Sequence, residues 1–295
     1  MRQEIRKIQE LMEAADYITD APVATAVHLA MTLRKPLLIE GHAGVGKTEV
    51  AKVMARMLGT NLIRLQCYEG LDASTALYEW NYQKQLLHIK LEEGSKAPTT
   101  EREAQIFSEP FLLKRPLLQA ITQETAPVLL VDEIDRADEE FEAFLLEIFS
   151  EWQITIPEIG TIKAAHPPSV ILTSNRTREL SDALRRRCLY LWVDYPPFEK
   201  EVRIVERKVP GVNARVAREI ARFMETLRTV RLAKVPGVAE SLDWAQALTA
   251  LHADHLDAEL VAETLGCVLK DVDDIKRFKA EVASAGLGKF VPLQG

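Results

Sequence analysis

The stretch that most constrains this chain is Pro36-Leu37-Leu38-Ile39-Glu40-Gly41-His42-Ala43-Gly44-Val45-Gly46-Lys47-Thr48. The apolar run from Leu37 to Ile39 reads as a short buried strand. Behind it, Gly41, four intervening residues and Gly46-Lys47-Thr48 fit G-x-x-x-x-G-K-[ST] without a mismatch, and a helical pattern from Glu49 to Leu58 follows. Glycines at 41, 44 and 46 are expected to open backbone conformations closed to other residues. Successive N–H groups can then converge on phosphate oxygens at the positive end of a helix. The expected cradle is Gly41, His42, Ala43, Gly44, Val45, Gly46, Lys47, Thr48 and Glu49. Lys47 is expected to reach the β- and γ-phosphates, and the Thr48 hydroxyl to bind Mg²⁺.

A chain of 295 residues is long enough for two domains of unequal size. Its formal net charge of −7 argues against a broad nucleic-acid-binding face. Cys67, Cys188 and Cys267 are far apart, odd in number and lack C-x-x-C spacing, which suits a reduced compartment and buried, inert thiols. The opening residues alternate charge with apolar side chains at helical spacing, unlike a signal peptide. With no stretch of about 18 apolar residues to span a membrane, a cytoplasmic protein is expected.

In chain order, 4–18 and 22–33 read as helices separated at Asp20-Ala21-Pro22, and Asn61 to Gln66 as a second strand. The stretch from Tyr68 to about Glu109 is less regular, and Leu86-Leu87-His88-Ile89-Lys90-Leu91 alternates, which suggests a mobile insert or a surface hairpin. Val128-Leu129-Leu130-Val131 then runs into Asp132-Glu133. A continuously apolar short run suits a strand buried on both faces of a parallel sheet, whose carboxyl end is where such sheets bind ligands. Asp132 is expected to hold Mg²⁺ directly or through water, and Glu133 to orient and partly deprotonate the attacking water.

Residues 138–151 place Phe141, Phe144, Leu145, Ile148 and Phe149 on one helical face, a core pattern. Gln153 to Lys163 alternates about Pro157-Glu158-Ile159-Gly160, a hairpin signal. Another apolar strand, Ser169 to Ser174, ends at Asn175, whose amide can bond a γ-phosphate or the lytic water without adding charge. Arg185-Arg186-Arg187 precede a further strand. Such a run is ordinarily a solvated face, but in a nucleotide-hydrolysing assembly one arginine can reach a neighbour's site. Beyond Pro196-Pro197 the pattern is helical throughout, over 199–208, 213–231, 240–252, 258–270 and 271–284, so a domain boundary is expected near 197. His252 and His255 lack a third candidate metal ligand nearby.

The phosphate loop, the Val131-Asp132-Glu133 strand end, Asn175, the arginines before Cys188 and the helical C-terminal part, in this order, resemble an AAA+ ATPase. The 153–163 hairpin and the lead-in helices look like the MoxR branch. Ala239-Glu240-Ser241-Leu242-Asp243-Trp244-Ala245 looks like its CoxD-like subgroup, accessory ATPases of molybdenum-containing carbon monoxide dehydrogenase maturation. The resemblance implies a three-layer α/β/α core over 1–197 with parallel strand order 5-1-4-3-2 and an all-α lid over 198–295. It also implies a ring, usually of six subunits, with ATP and Mg²⁺ between neighbours, that remodels a client such as a metalloenzyme, often with a von Willebrand factor A domain protein. The arginine finger falls on Arg187 by motif, with Arg186 in reserve. One departure stands out: where the family's lid helix offers an arginine to the γ-phosphate, this chain reads Glu240-Ser241-Leu242-Asp243-Trp244, leaving Arg231 or Lys234 as substitutes. A nucleotide-gated scaffold with slow hydrolysis shares every motif, and a DNA-processing motor fits the core but not the acidic chain.

Overall fold

The computed structural model describes residues 2–92, 98 and 105–291. The chain forms two compact units, each discontinuous in sequence. One gathers Pro22–Glu40 and Ala51–Leu191; the other gathers Met1–Ala21, Gly41–Val50 and Trp192–Gly295.

The elements run α1 (Arg2–Ala14), α2 (Ala21–Leu33), β1 (Leu37–Gly41), α3 (Lys47–Leu58), β2 (Leu62–Gln66), α4 (Ala73–Leu77), β3 (Tyr78–Trp80), α5 (Tyr82–Leu91), β4 (Leu112–Lys114), α6 (Pro116–Ile121) and β5 (Val128–Asp132). They continue with α7 (Glu139–Glu151), β6 (Gln153–Ile156), β7 (Gly160–Lys163), β8 (Ser169–Ser174), α8 (Asp182–Arg187), β9 (Leu189–Val193), α9 (Phe198–Lys208), α10 (Ala214–Leu227), α11 (Val238–Ala250), α12 (Ala258–Val268) and α13 (Val272–Ala285).

Five strands form one sheet in the order β2-β5-β8-β1-β9. Numbering these five core strands along the chain gives 5-1-4-3-2 from the β9 edge, as the resemblance implies. The pairings β2–β5, β5–β8 and β1–β8 are parallel, with Gln66 opposite Asp132 and Glu40 opposite Ser174. Residues 128–132 and 37–41 are buried throughout, the signature of central strands covered on both faces. The core joins strand residues Leu38, Leu65, Leu129 and Leu172 to Leu118 of α6 and Leu145 of α7. Each such side chain contributes about 1.5–3 kcal/mol by leaving water.

Local signals account for the element ends. Asp138 caps α7 by accepting the Phe141 N–H at 2.8 Å, and Trp152 closes it in the left-handed region. Phe141 is fully buried, and Phe144 and Phe149 pack against the same core. The expected hairpin is present as β6–β7, with Ile154 opposite Ile162 and Gly160 at φ 97°. The stretch after Tyr68 departs from expectation. Trp80 pairs with Leu112 in a two-stranded sheet, but 82–91 is a helix. Asn81 caps it by accepting the Lys84 N–H at 3.0 Å, and its alternating leucines stay exposed, with Gln85 buried instead. Alternation without a face to bury does not make a strand. Residues 93–97 and 99–104 of that insert lie outside the described residues.

In the other unit, α9 to α13 enclose a separate core in which Phe223 meets Trp244, Phe278 and Phe290 at 4.8, 5.6 and 5.6 Å between ring centres. Trp244 donates its indole N–H to Thr264 Oγ1 at 2.7 Å, so the buried polar atom is satisfied. The N-terminal helix stops at Ala14, short of the expected residue 18, where Asp16 turns into the left-handed region at φ 64°. Arg203–Glu13, Arg207–Asp16 and Lys200–Asp20 pairs tie this segment to α9.

Candidate nucleotide-hydrolysis site

The phosphate loop leaves β1 and enters α3 at Lys47. Gly44 and Gly46 stand at φ 74° and 91°, a region that favours glycine, as expected. Gly41 is required for another reason: a Cβ there would lie 2.1 Å from the Val193 carbonyl oxygen, so only a bare backbone fits. Lys47 is buried, and its Nζ donates to the carbonyls of Gly41 and His42 at 3.0 and 2.6 Å. Val45 is buried, Thr48 and Glu49 half-buried, and Ala43 exposed. The His42 ring stacks on Tyr195 at 4.6 Å and meets Trp192 edge-on at 5.6 Å. Residues 41–48 thus combine two glycines at positive φ, a helix start and a buried ammonium group, the features from which polyphosphate sites are built.

The acidic strand end is organised by side chains far away in sequence. Asp132 is buried. Its Oδ1 accepts from Thr173 Oγ1 at 2.5 Å, and its Oδ2 from Arg64 Nε and Nη2 at 3.0 and 2.5 Å. Glu133 adopts the left-handed conformation at φ 57°, with its N–H bonded to Thr173 Oγ1 at 2.9 Å. Its carboxylate accepts from Gln66 Nε2 at 3.1 Å and Asn175 Nδ2 at 3.4 Å, and pairs with Arg136 at 3.2 Å. A non-glycine residue held at positive φ marks a position whose orientation is enforced by its surroundings. The outcome is a half-exposed carboxylate aimed by two amides, one at the end of β2 and one following β8.

Sequence reasoning singled out Asp132, Glu133 and Asn175, and the structure brings the three together. It did not single out Arg64, Gln66, Thr173 or Asp135. Arg64 and Gln66 alternate on β2, and this period-2 placement of polar side chains beside the Asp132 strand was the available signal. Asp135 is buried and accepts the N–H groups of Asn175 and Thr177 at 3.2 and 2.8 Å, fixing the turn after β8. Glu142 is fully buried against Arg178 at 2.5 Å and accepts the Ser181 N–H at 2.8 Å. Arg187 is exposed at the end of α8 and donates to Leu146 O and Ser150 Oγ at 2.7 and 2.5 Å. Arg186 is exposed as well.

Burial, followed by the charges of Asp132, Asp135 and Glu133, pushes the Cys67 thiol up to about 12, and burial alone does the same to Cys188. Neither is a thiolate at neutral pH. Arg231 and Lys234, the substitutes considered for a lid arginine, have exposed side chains. The polar side chain of α11 nearest Gly44 is that of Glu240, whose Oε2 would lie 3.2 Å from a Cβ there. It turns back to accept the Gly237 N–H at 2.7 Å. No helix among the described residues is long and apolar enough to cross a membrane.

Residues 36–188 match the family model of the AAA domain, dynein-related subfamily, a span of more than half the chain. The chain belongs to that family, and it is a nucleotide-dependent ATP hydrolase. It is similar to uncharacterized proteins of Staphylococcus haemolyticus and of Staphylococcus aureus bovine RF122, at 25% and 26% identity over 218 residues, which cover 72% of this chain and 75% of each relative. Among solved structures, a mutant of the RuvB protein of Thermotoga maritima aligns with a TM-score of 0.50 and 17% identity, covering 96% of this chain and 76% of that one. That likeness is one of fold.

Proposed function

We propose that this chain is a Mg²⁺-dependent ATPase of the MoxR branch, CoxD-like in its finer kinship, with a nucleotide-binding core over 1–197 and a helical lid over 198–295. In this reading it assembles as a ring, six subunits being the family's usual number, and remodels a client in the cytoplasm. The client is a metalloenzyme or a complex under maturation, and a von Willebrand factor A domain protein is the partner the branch implies.

Residues 41–49 hold the triphosphate, with Lys47 on the β- and γ-phosphates. Mg²⁺ suits the oxygen donors of Thr48 and Asp132, because a hard ion takes hydroxyl and carboxylate ligands. Both Asp132 oxygens already accept hydrogen bonds, from Thr173 and from Arg64, so the carboxylate meets the ion through their remaining lone pairs or a water. When bound, the ion neutralises charge on the phosphoryl group. Glu133 takes a proton from the attacking water, and Asn175 orients that water or the γ-phosphate. Arg187 serves the neighbouring subunit.

The observation that carries this reading is the carboxylate of Glu133, held by Gln66 and Asn175 on a backbone fixed by Thr173. A carboxylate oriented in this way is equipped for proton transfer, a step worth about 10² to 10⁴ in rate. Glu133→Gln should retain ATP binding and lose about that factor in kcat; undiminished turnover would remove Glu133 as the base. Client-stimulated turnover that is lost in Ile159→Ala, at the exposed tip of the β6–β7 hairpin, separates a remodelling machine from a nucleotide-gated scaffold.

A further inference from the structure

The amino end of α11 is seated on the phosphate loop. The N–H groups of Val238 and Ala239 both donate to the Gly44 carbonyl, at 2.9 and 3.1 Å. Gly237, just ahead of them, packs so closely that a Cβ would lie 2.6 Å from the Ala43 oxygen and 2.8 Å from the Gly44 carbonyl carbon. Glu240 closes the turn through the Gly237 N–H.

Behind this contact lies a buried ion pair. Glu201 is fully buried and takes both terminal nitrogens of Arg228, at 2.6 and 2.8 Å, and the Ser241 hydroxyl at 2.5 Å. Arg228 also donates Nε to the Pro236 carbonyl at 3.0 Å and lies 4.7 Å over the Tyr195 ring. Tyr195 in turn carries the stacked His42. One guanidinium therefore braces both anchors of the loop, the stacked ring at 42 and the clamped carbonyl at 44.

The chemical consequence follows from peptide geometry. No cis peptide occurs among the described residues, and in a trans peptide the C=O and the following N–H point in opposite directions. Two donors drawing the Gly44 carbonyl toward α11 therefore turn the Val45 N–H the other way, away from α11. We propose that Gly237, Val238 and Ala239 are positioning residues for phosphate binding: the lid sets the aim of the Val45 N–H through the backbone, instead of offering a basic side chain to the γ-phosphate. The place where a lid arginine was sought holds Glu240 and Ser241, both engaged within the lid. This inference rests on reading residues 41–49 as the phosphate cradle. A clamp acting on the loop serves every nucleotide carrying a β-phosphate, so it strengthens ADP and ATP alike.

Val238→Pro provides the test. Val238 is the first residue of α11, the helical position where proline is tolerated, and Gly237 before it is extended at φ −94°, ψ −165°. The substitution deletes one N–H and keeps the helix. Dissociation constants for fluorescent ADP and ATP analogues should both rise about 2- to 10-fold, the worth of one hydrogen bond, with their ratio unchanged. KM for ATP should rise while kcat holds. Val238→Ala, which keeps the N–H, should weaken both nucleotides less than Val238→Pro does, and Gly237→Ala, which drives a methyl group into the loop, should weaken both further. Circular dichroism confirms that each variant folds. An unchanged pair of constants in Val238→Pro and Gly237→Ala, with Lys47→Ala still abolishing binding, overturns the clamp alone. Loss confined to ATP overturns it in favour of γ-phosphate sensing, and full binding by Lys47→Ala overturns the cradle reading and the clamp with it.

Discussion

Under the proposed function the phosphate loop and the acidic strand end each place polar groups for hydrolysis, by opposite means. In the loop the groups are main-chain N–H donors, and glycines at 44 and 46 free the backbone to present them. At the strand end the groups are side chains, and each is held by a partner distant in sequence: Arg64 and Thr173 on Asp132, Gln66 and Asn175 on Glu133. A backbone nest needs a short motif, whereas a side-chain cluster needs a folded sheet. The first survives as a pattern in thirteen residues, and the second exists only once β2, β5 and β8 lie side by side.

The two halves should therefore fail differently. The largest effect is expected at Lys47, whose removal deletes a buried cation that the polyphosphate needs. Lys47→Ala should weaken ATP binding by about 10- to 100-fold or more, as charge-assisted bonds are lost, measured by equilibrium titration. If binding held while turnover fell, the division of labour between the two halves would break. Thr173→Val comes next, because it strips a donor from buried Asp132 and an acceptor from the Glu133 N–H. It should lower kcat roughly 10-fold and stability by about 1–3 kcal/mol in urea, with little change in nucleotide affinity. Arg64→Ala removes a half-exposed partner of Asp132 and should cost only about 2- to 5-fold in kcat, an effect that fades further in high salt. The smallest effect concerns Cys67. With its thiol pushed up to about 12, it stays protonated from pH 7 to 9, so alkylation in the folded protein should remain slow across that range and speed up only on unfolding.

Legibility followed the same division. The apolar runs 37–39, 128–131 and 169–174 fixed the central strands, because a strand buried on both faces has no polar alternation to blur it. Asp132, Glu133 and Asn175 were legible because they stand where those runs stop. Thr173 was hidden, being one polar residue inside an apolar run, and Arg64 and Gln66 looked like the solvent face of an ordinary strand. Glu142 was hidden by a neighbouring pattern: on an amphipathic helix with acids at 139, 140, 142, 147 and 151, nothing local tells the buried one from the rest. Residues 82–91 misled for the converse reason, since their alternation had no sheet to serve. The glycine at 41 was recognised by its motif for the wrong cause, because the nearness of Val193 is a fact of the fold.

The two bonds between Arg187 and the end of α7 carry a mechanical implication. Its two acceptors, the Leu146 carbonyl and the Ser150 hydroxyl, are both neutral, so the guanidinium is parked in a shallow well. Phosphate oxygens, being anionic and able to take two parallel N–H donors, bind a guanidinium more strongly than neutral acceptors do. In the proposed ring, an arginine stored in this way would be drawn off by a neighbour's nucleotide, and its departure would release the Leu146 carbonyl and the Ser150 hydroxyl on the helix that leads into the β6–β7 hairpin. Release at one end would then be felt as slack at the other, giving a subunit a means of signalling its neighbour's nucleotide state to the exposed hairpin tip.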